Sequence, residues 1–277
     1  MIEAPAVNPN SCVAVDLGWR MTKDGLRAAY ATDKDHKAIE CIVTQRQLNE
    51  FDTIRGLSST RQKHFNDCIH VIKAWIANKN LPDWLIDAVA YIDKWKSYTH
   101  IFKLYNAFLQ HEKSGNQEII SYLDAYIERE NHLRIWQSNL QDQAIAKRNY
   151  EYQNFAARLA NMYDVLVLEK LSITDIVKYQ KAIIGSQQST ALDRNRTIVA
   201  PYELKTILIN AFTSRGKQFV EVNASYSTKV CHHCGALEEV HQSSIMHTCT
   251  QCHTVWDQDY NACINLLALY DNKVGAY

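Results

Sequence analysis

Two Cys-x-x-Cys knuckles near the C-terminus constrain this chain more than any other stretch. Cys231 and Cys234 form the first, Cys249 and Cys252 the second, with fourteen residues between them. A two-residue spacing lets both thiolates of a knuckle point at one ion, and four thiolates close a tetrahedral site with no open position. The expectation is a structural zinc, with His232, His233, His247 and His253 nearby but not needed as ligands. Eight cysteines in all, five of them between positions 231 and 263, do not make a disulfide framework and fit a reducing compartment. Directly after the second knuckle comes TVWDQDYNACINLL, an acidic helix start. That acid pair asks for a second site of another kind.

The chain has 277 residues and is 47% apolar, enough for a sizeable core, and its formal net charge is zero. Overall charge therefore gives no argument for nucleic-acid binding, which must rest on particular residues. The N-terminus has no charged segment followed by an apolar core, and no apolar run approaches the roughly 20 residues of a membrane span.

A short β-branched run, CVAVDL (12–17), opens the chain, and LRAAYA (26–31) and AIECIVT (38–44) read as two further strands, close enough together for a meander. From about Ser58 to Asn161 the apolar spacing becomes helical, with breaks near Pro82 and at 113–116. Trp75, Trp84, Trp95 and Trp136 fall there and read as core packing. YDVLVL (163–168) is a buried central strand that runs into Glu169. Then follow a helix over 174–184, a polar loop over 185–195, a helix over 201–212, a strand over 219–222, the ribbon and a last helix over 257–270. The order predicts an α/β fold, a mixed sheet flanked by helices, with a helical insertion and a zinc ribbon. The expected segments are 1–57, 58–161, 162–228, 229–255 and 256–277.

Asp16 follows a strand, Glu169 ends one, and Asp257 and Asp259 open a helix. Hard divalent cations prefer carboxylate oxygens, and two such ions can activate water and stabilise a leaving oxygen in phosphodiester cleavage. At about 100° per residue Asp257 and Asp259 cannot both face inward. Asp259 shares its face with Ala262, Cys263, Leu266 and Leu267, so it is the candidate ligand, and Asp257 is the N-cap. Arg194 and Arg196, in the polar loop, are candidate phosphate contacts.

AVDLG (14–18), VLVLEKL (165–171) and the cysteine knuckles followed by DQDYNACINLL (257–267) resemble the three RuvC motifs and zinc ribbon of TnpB-like nucleases and type V CRISPR effectors. The resemblance covers residues 12–44 and about 150–270. It implies an RNase H-like (RuvC) sheet and a DNA endonuclease in an RNA-guided system. Asp16, Glu169 and Asp259 would be its catalytic acids, holding Mg²⁺ or Mn²⁺, with two ions expected. It further implies DNA as a partner, single-stranded at the active site, and a cytoplasmic setting in a prokaryote or phage. Guide RNA would be bound through a half that is absent before Cys12, or through a partner chain. The alternative is a catalytically silent nucleic-acid-binding module. A purely structural zinc protein would leave the strand-end acids unexplained.

Overall fold

The structure is a computed structural model that describes residues 7–77, 79–111, 116–170, 186–223, 226–239 and 244–274. It divides into two compact units, one of residues 1–48 with 146–277 and one of residues 49–145.

The first unit is built on a five-stranded sheet. Strands β1 (Cys12–Thr22), β2 (Gly25–Asp33) and β3 (Ala38–Thr44) form the expected antiparallel meander, and β4 (Val165–Glu169) and β5 (Gln218–Val222) add parallel to β1. The spatial order is β3-β2-β1-β4-β5, the RNase H-like arrangement. Gly25 makes the first hairpin possible. Its φ is +142°, and a Cβ there would lie 2.4 Å from the Val43 carbonyl oxygen.

Helix α7 (Gln258–Val274) covers one face of this sheet. Cys12, Ala14, Tyr30, Val165, Val167 and Val222 pack with Cys263, Leu266, Leu267 and Tyr270 into one buried cluster. The row predicted for the inner face of the last helix is therefore the buried one. Helices α5 (Ser186–Val199) and α6 (Pro201–Thr213) also pack on the sheet.

The second unit is helical. It holds most of α1 (Gln45–Ile76), then α2 (Asp83–Val89), α3 (Tyr98–His111) and the first part of α4 (Gln117–Met162). Phe65, Ile72, Leu85, Ile101, Leu104, Phe108 and Leu123 centre its core, and Trp75, Trp84 and Trp95 pack against it. Trp136 departs from the expectation, being 46% exposed. Among the described residues no helix is long and apolar enough to cross a membrane.

Two local expectations change. The helical run opens at Gln45 rather than near Ser58, and Leu48, Ile54 and Leu57 are already buried within it. Gly56 inside that run costs roughly 1 kcal/mol of helix propensity, and the burial of these side chains outweighs it. Residues 186–195 of the expected polar loop lie instead in α5, so Arg194 and Arg196 stand on a helix. Its polar residues hide the pattern, yet Asn195, Ile198 and Val199 are buried and Asn195 Nδ2 donates to Trp19 O at 3.4 Å. The predicted helix over 174–184 lies outside the described residues.

Candidate functional site

The sheet register brings the first two acids together. Cys12 and Ala14 pack against α7, and alternation along β1 puts Asp16 on that face. Val165 and Val167 do the same for Glu169 on β4. The parallel pairing of β1 with β4 runs from Cys12↔Val165 to Val15↔Leu168. One further step sets Asp16 beside Glu169, at a strand spacing of about 5 Å. Asp259, in the first turn of α7, descends on the same place: its side chain is 4% exposed and its negative charge acts on the Asp16 carboxyl. Burial first, then the negative charges of Asp259 and Glu169, push the Asp16 carboxyl well above the usual carboxylate range. Burial also raises Glu169, and the nearby Lys205 ammonium partly offsets it. Lys205 is itself paired with Glu221. All three predicted acids thus lie toward one end of the sheet, near the N-terminus of α7, but their oxygens are not gathered as closely as the cysteine sulfurs, which form the one such group among the described residues.

Asp257 is the N-cap of that helix. Its Oδ1 accepts from the backbone N–H groups of Asp259, at 2.9 Å, and Tyr260, at 3.3 Å.

The four knuckle cysteines gather as the spacing predicts. Their ligand atoms all lie within 4.8 Å of one another. Cys231 Sγ is 3.7 Å from Cys252 Sγ, and Cys234 Sγ is 3.5 Å from Cys249 Sγ. A tetrahedral zinc with Zn–S bonds near 2.3 Å needs sulfurs about 3.8 Å apart, so these residues fit the ion. The knuckles are near copies in backbone. Gly235 N–H donates to Cys231 O at 2.8 Å, and His253 N–H to Cys249 O at 3.1 Å, and both turn residues have positive φ. The Cys252 thiol, 3.3 Å from the Thr254 hydroxyl and beside its backbone, is held down to about 6. Trp256 packs on Cys231 and Cys249 and shields the cluster. Exchange of Cys249→Ser is expected to reduce bound zinc from one ion per chain to a small fraction of that. Metal analysis of the purified variant checks it, and unchanged zinc would refute the site.

The ribbon is joined to the acid centre at two points. Strands β6 (Met246–Thr248) and β7 (Val255–Asp257) form its hairpin, and β7 passes without a linker into α7, two residues before Asp259. From the other knuckle, His232 donates its backbone N–H to Asn261 Oδ1 at 2.8 Å, with its ring Nδ1 at 2.9 Å from the same oxygen. Asn261 and Asn265 each donate Nδ2 hydrogens to the carbonyls of Ser227 and Val230. Asn261 is fully buried, so truncation would strand several polar groups. Asn261→Ala is expected to destabilise the zinc-loaded chain by about 1–3 kcal/mol, read from the thermal or urea midpoint.

A cation completes the centre. Arg27, on β2, is 6% exposed. Its Nη1 donates to Asp259 Oδ2 at 2.8 Å and to Asp257 Oδ2 at 2.8 Å. Its Nε and Nη2 grip Glu40 at 3.1 and 3.0 Å. Its position depends on a β-bulge: on β2 the two steps from Arg27 to Ala29 match a single step on β3, from Ile42 to Cys41. In a regular strand residues three apart point to opposite faces. The bulge brings Arg27 and Tyr30 to the same face, with the guanidinium 5.1 Å from the ring centroid.

The model of the Cas12f1-like TNB domain matches residues 202–266, the stretch from α6 through the ribbon into α7. The CRISPR-associated DNA-binding protein Cas12m of Thermanaerosceptrum fracticalcis is 34% identical over 256 residues, 92% of this chain and 43% of that protein. Its counterpart in Allomeiothermus silvanus is 32% identical over 268 residues, 95% of this chain and 50% of that protein. The chain is homologous to the Cas12m proteins. It spans about half the length of these relatives. A more distant relative is the TnpB-like protein L79 of Acanthamoeba polyphaga mimivirus, 28% identical over 109 residues, 39% of this chain and 20% of that protein. The similarity to Cas12m runs through both units of the fold.

Sequence reasoning missed Arg27, Lys205 and the Asn261–Asn265 clip. Arg27 had a signal: it is the one charged residue in LRAAYA, and β2 is buried along its whole length. A basic side chain is rarely fully buried unless paired. Of the proposed phosphate contacts, Arg196 pairs with Asp193 at 2.8 Å, an i,i+3 pair within α5.

Proposed function

We propose that this chain is the RuvC-like part of an RNA-guided DNA-binding system of the Cas12m kind. In this reading it holds target DNA at an acid centre made by Asp16, Glu169 and Asp259 beside the zinc ribbon. The observation that carries the reading is the convergence of three buried or half-buried carboxylates next to a ribbon clipped onto the same helix. A carboxylate cluster this repulsive is an expected home for a divalent cation, and a cation there would draw a DNA phosphate. The names of the Cas12m relatives, which describe DNA binding, support it. Arg194 and Arg196 are the proposed phosphate contacts on α5, and guide RNA is a proposed partner of the system.

A second reading is hydrolysis of DNA phosphodiesters with two Mg²⁺ or Mn²⁺ ions. It is favoured by the identity of the three acids, which suit that chemistry. It is opposed by Arg27, which already holds the inner acid of α7.

The discriminating experiment mixes the zinc-loaded chain with labelled single-stranded and duplex DNA, with and without Mg²⁺. Mobility shift reads binding and denaturing gels read cutting. Mg²⁺-strengthened binding without cutting is expected for the wild type, and weaker binding without cutting for Asp16→Asn. Mg²⁺-dependent cutting by the wild type that vanishes in Asp16→Asn would establish the second reading instead. No binding to either DNA would contradict both.

A further inference from the structure

The acid centre carries more negative charge than a triad, and it also carries a fixed positive one. Asp16, Glu169, Asp257 and Asp259 crowd the end of the sheet, and the guanidinium of Arg27 lies between Asp257 and Asp259. We propose that Arg27 is the resident cation of this centre: its guanidinium occupies the side of Asp259 that a second divalent ion would need, so the centre takes one such ion rather than two. The proposal rests on the reading of Asp16, Glu169 and Asp259 as a single cation-binding centre.

Three features make the guanidinium a fixture rather than a passing contact. First, it cannot lose its proton at any pH the folded chain meets. Second, four of its N–H bonds have carboxylate acceptors, two toward α7 and two gripping Glu40 on β3. Releasing it would strand three acids at once, of which the Asp259 side chain is 4% exposed and Asp257 19%. Third, the backbone is shaped for it. The bulge at Ala28 turns Arg27 toward α7, and the Tyr30 ring lies against its guanidinium.

The consequence for ion binding follows from geometry and charge. A Mg²⁺ or Mn²⁺ ion needs carboxylate oxygens at about 2.0–2.2 Å with open directions around it. Asp259 offers little: its Oδ2 is taken by Arg27, and its side chain is 4% exposed. Arg27 makes no hydrogen bond to Asp16 or Glu169; the cations acting on them are Arg20 for Asp16 and Lys205 for Glu169, and Lys205 already pairs with Glu221. One ion can neutralise the Asp16–Glu169 pair. A second ion at Asp259 would meet a permanent positive charge within contact distance.

The test counts Mn²⁺ on the zinc-loaded chain by electron paramagnetic resonance, following the signal of free Mn²⁺ during titration. The wild type is expected to bind one Mn²⁺ at this centre and Asp16→Asn none. Arg27→Leu is expected to bind two, or one with an affinity higher by roughly tenfold or more. Should Arg27→Leu fail to fold, Glu40→Gln serves instead. It removes the outer grip on the guanidinium at a half-exposed residue and is expected to tighten Mn²⁺ binding in the same direction. Two Mn²⁺ ions on the wild type, or no change in number and affinity in both Arg27→Leu and Glu40→Gln, would overturn the proposal. If Asp16→Asn bound Mn²⁺ as the wild type does, the shared centre itself would be wrong, a failure distinct from that of Arg27.

Discussion

Truncation of Arg27 to alanine is expected to lower the unfolding free energy by about 3–5 kcal/mol. The figure follows from what would be left behind. Asp259 would remain almost fully buried, with Asp257 and Asp16 as negative neighbours and no positive partner within hydrogen-bond reach. Breaking a buried ion pair from one side is far more damaging than replacing both members. Accordingly the double change Arg27→Leu with Asp259→Leu is expected to be more stable than Arg27→Ala alone. Urea unfolding of the zinc-loaded proteins reads both comparisons. A loss below about 1 kcal/mol, the value of an exposed ion pair, would mean that the guanidinium is not held as described.

The second large effect has the opposite sign. Asp16→Asn is expected to stabilise the chain in the absence of divalent cations by about 1–3 kcal/mol, because it removes a buried charge facing Asp259 and Glu169. The gain should depend on pH in a defined direction. Burial and the two neighbouring acids raise the folded-state pKa of Asp16 above its unfolded value. At a pH above the raised value the wild type carries the full cost of the ionised, crowded carboxylate, and the gain from asparagine is complete. As pH falls through the raised value Asp16 takes up a proton in the folded state and the gain shrinks. Below the ordinary aspartate value, near 3.9, it is gone. Millimolar Mn²⁺ should reverse the ranking at neutral pH, stabilising the wild type and leaving Asp16→Asn unmoved. Melting curves with and without Mn²⁺ test this, and an asparagine variant less stable than the wild type without the ion would contradict it. Sites that trade stability for binding in this way are familiar among functional centres.

Much of the site could be read before the fold was known, for reasons tied to particular residues. β3 was legible residue for residue, and β2 and β4 to within two residues at either end, because turn residues bound them, whereas β1 runs five residues past the expected end at Leu17. Asp259 was separable from Asp257 because helix geometry forbids both from facing the same row. The structure puts Asp259 among the buried side chains and Asp257 at the cap. The cysteine spacing gave the ribbon directly. What stayed hidden was long-range polar pairing. Arg27 is 230 residues from Asp257 and 232 from Asp259, and no local pattern announces a partner at that distance. Helix α5 was hidden for another reason, since its polar sequence shows no apolar period and its helicity comes from a few buried contacts to the sheet. Asn261 carries no local signal either: it is fully buried and spends its amide on the ribbon.

The account stands or falls on what the acid centre holds. Crystals of the zinc-loaded chain soaked in Mn²⁺ and measured at the manganese absorption edge would show this directly. The account predicts one anomalous peak beside Asp16 and Glu169, with the Arg27 guanidinium still against Asp257 and Asp259. Two peaks flanking Asp16, with Arg27 withdrawn from Asp259, would contradict it and make the centre a two-ion hydrolytic site.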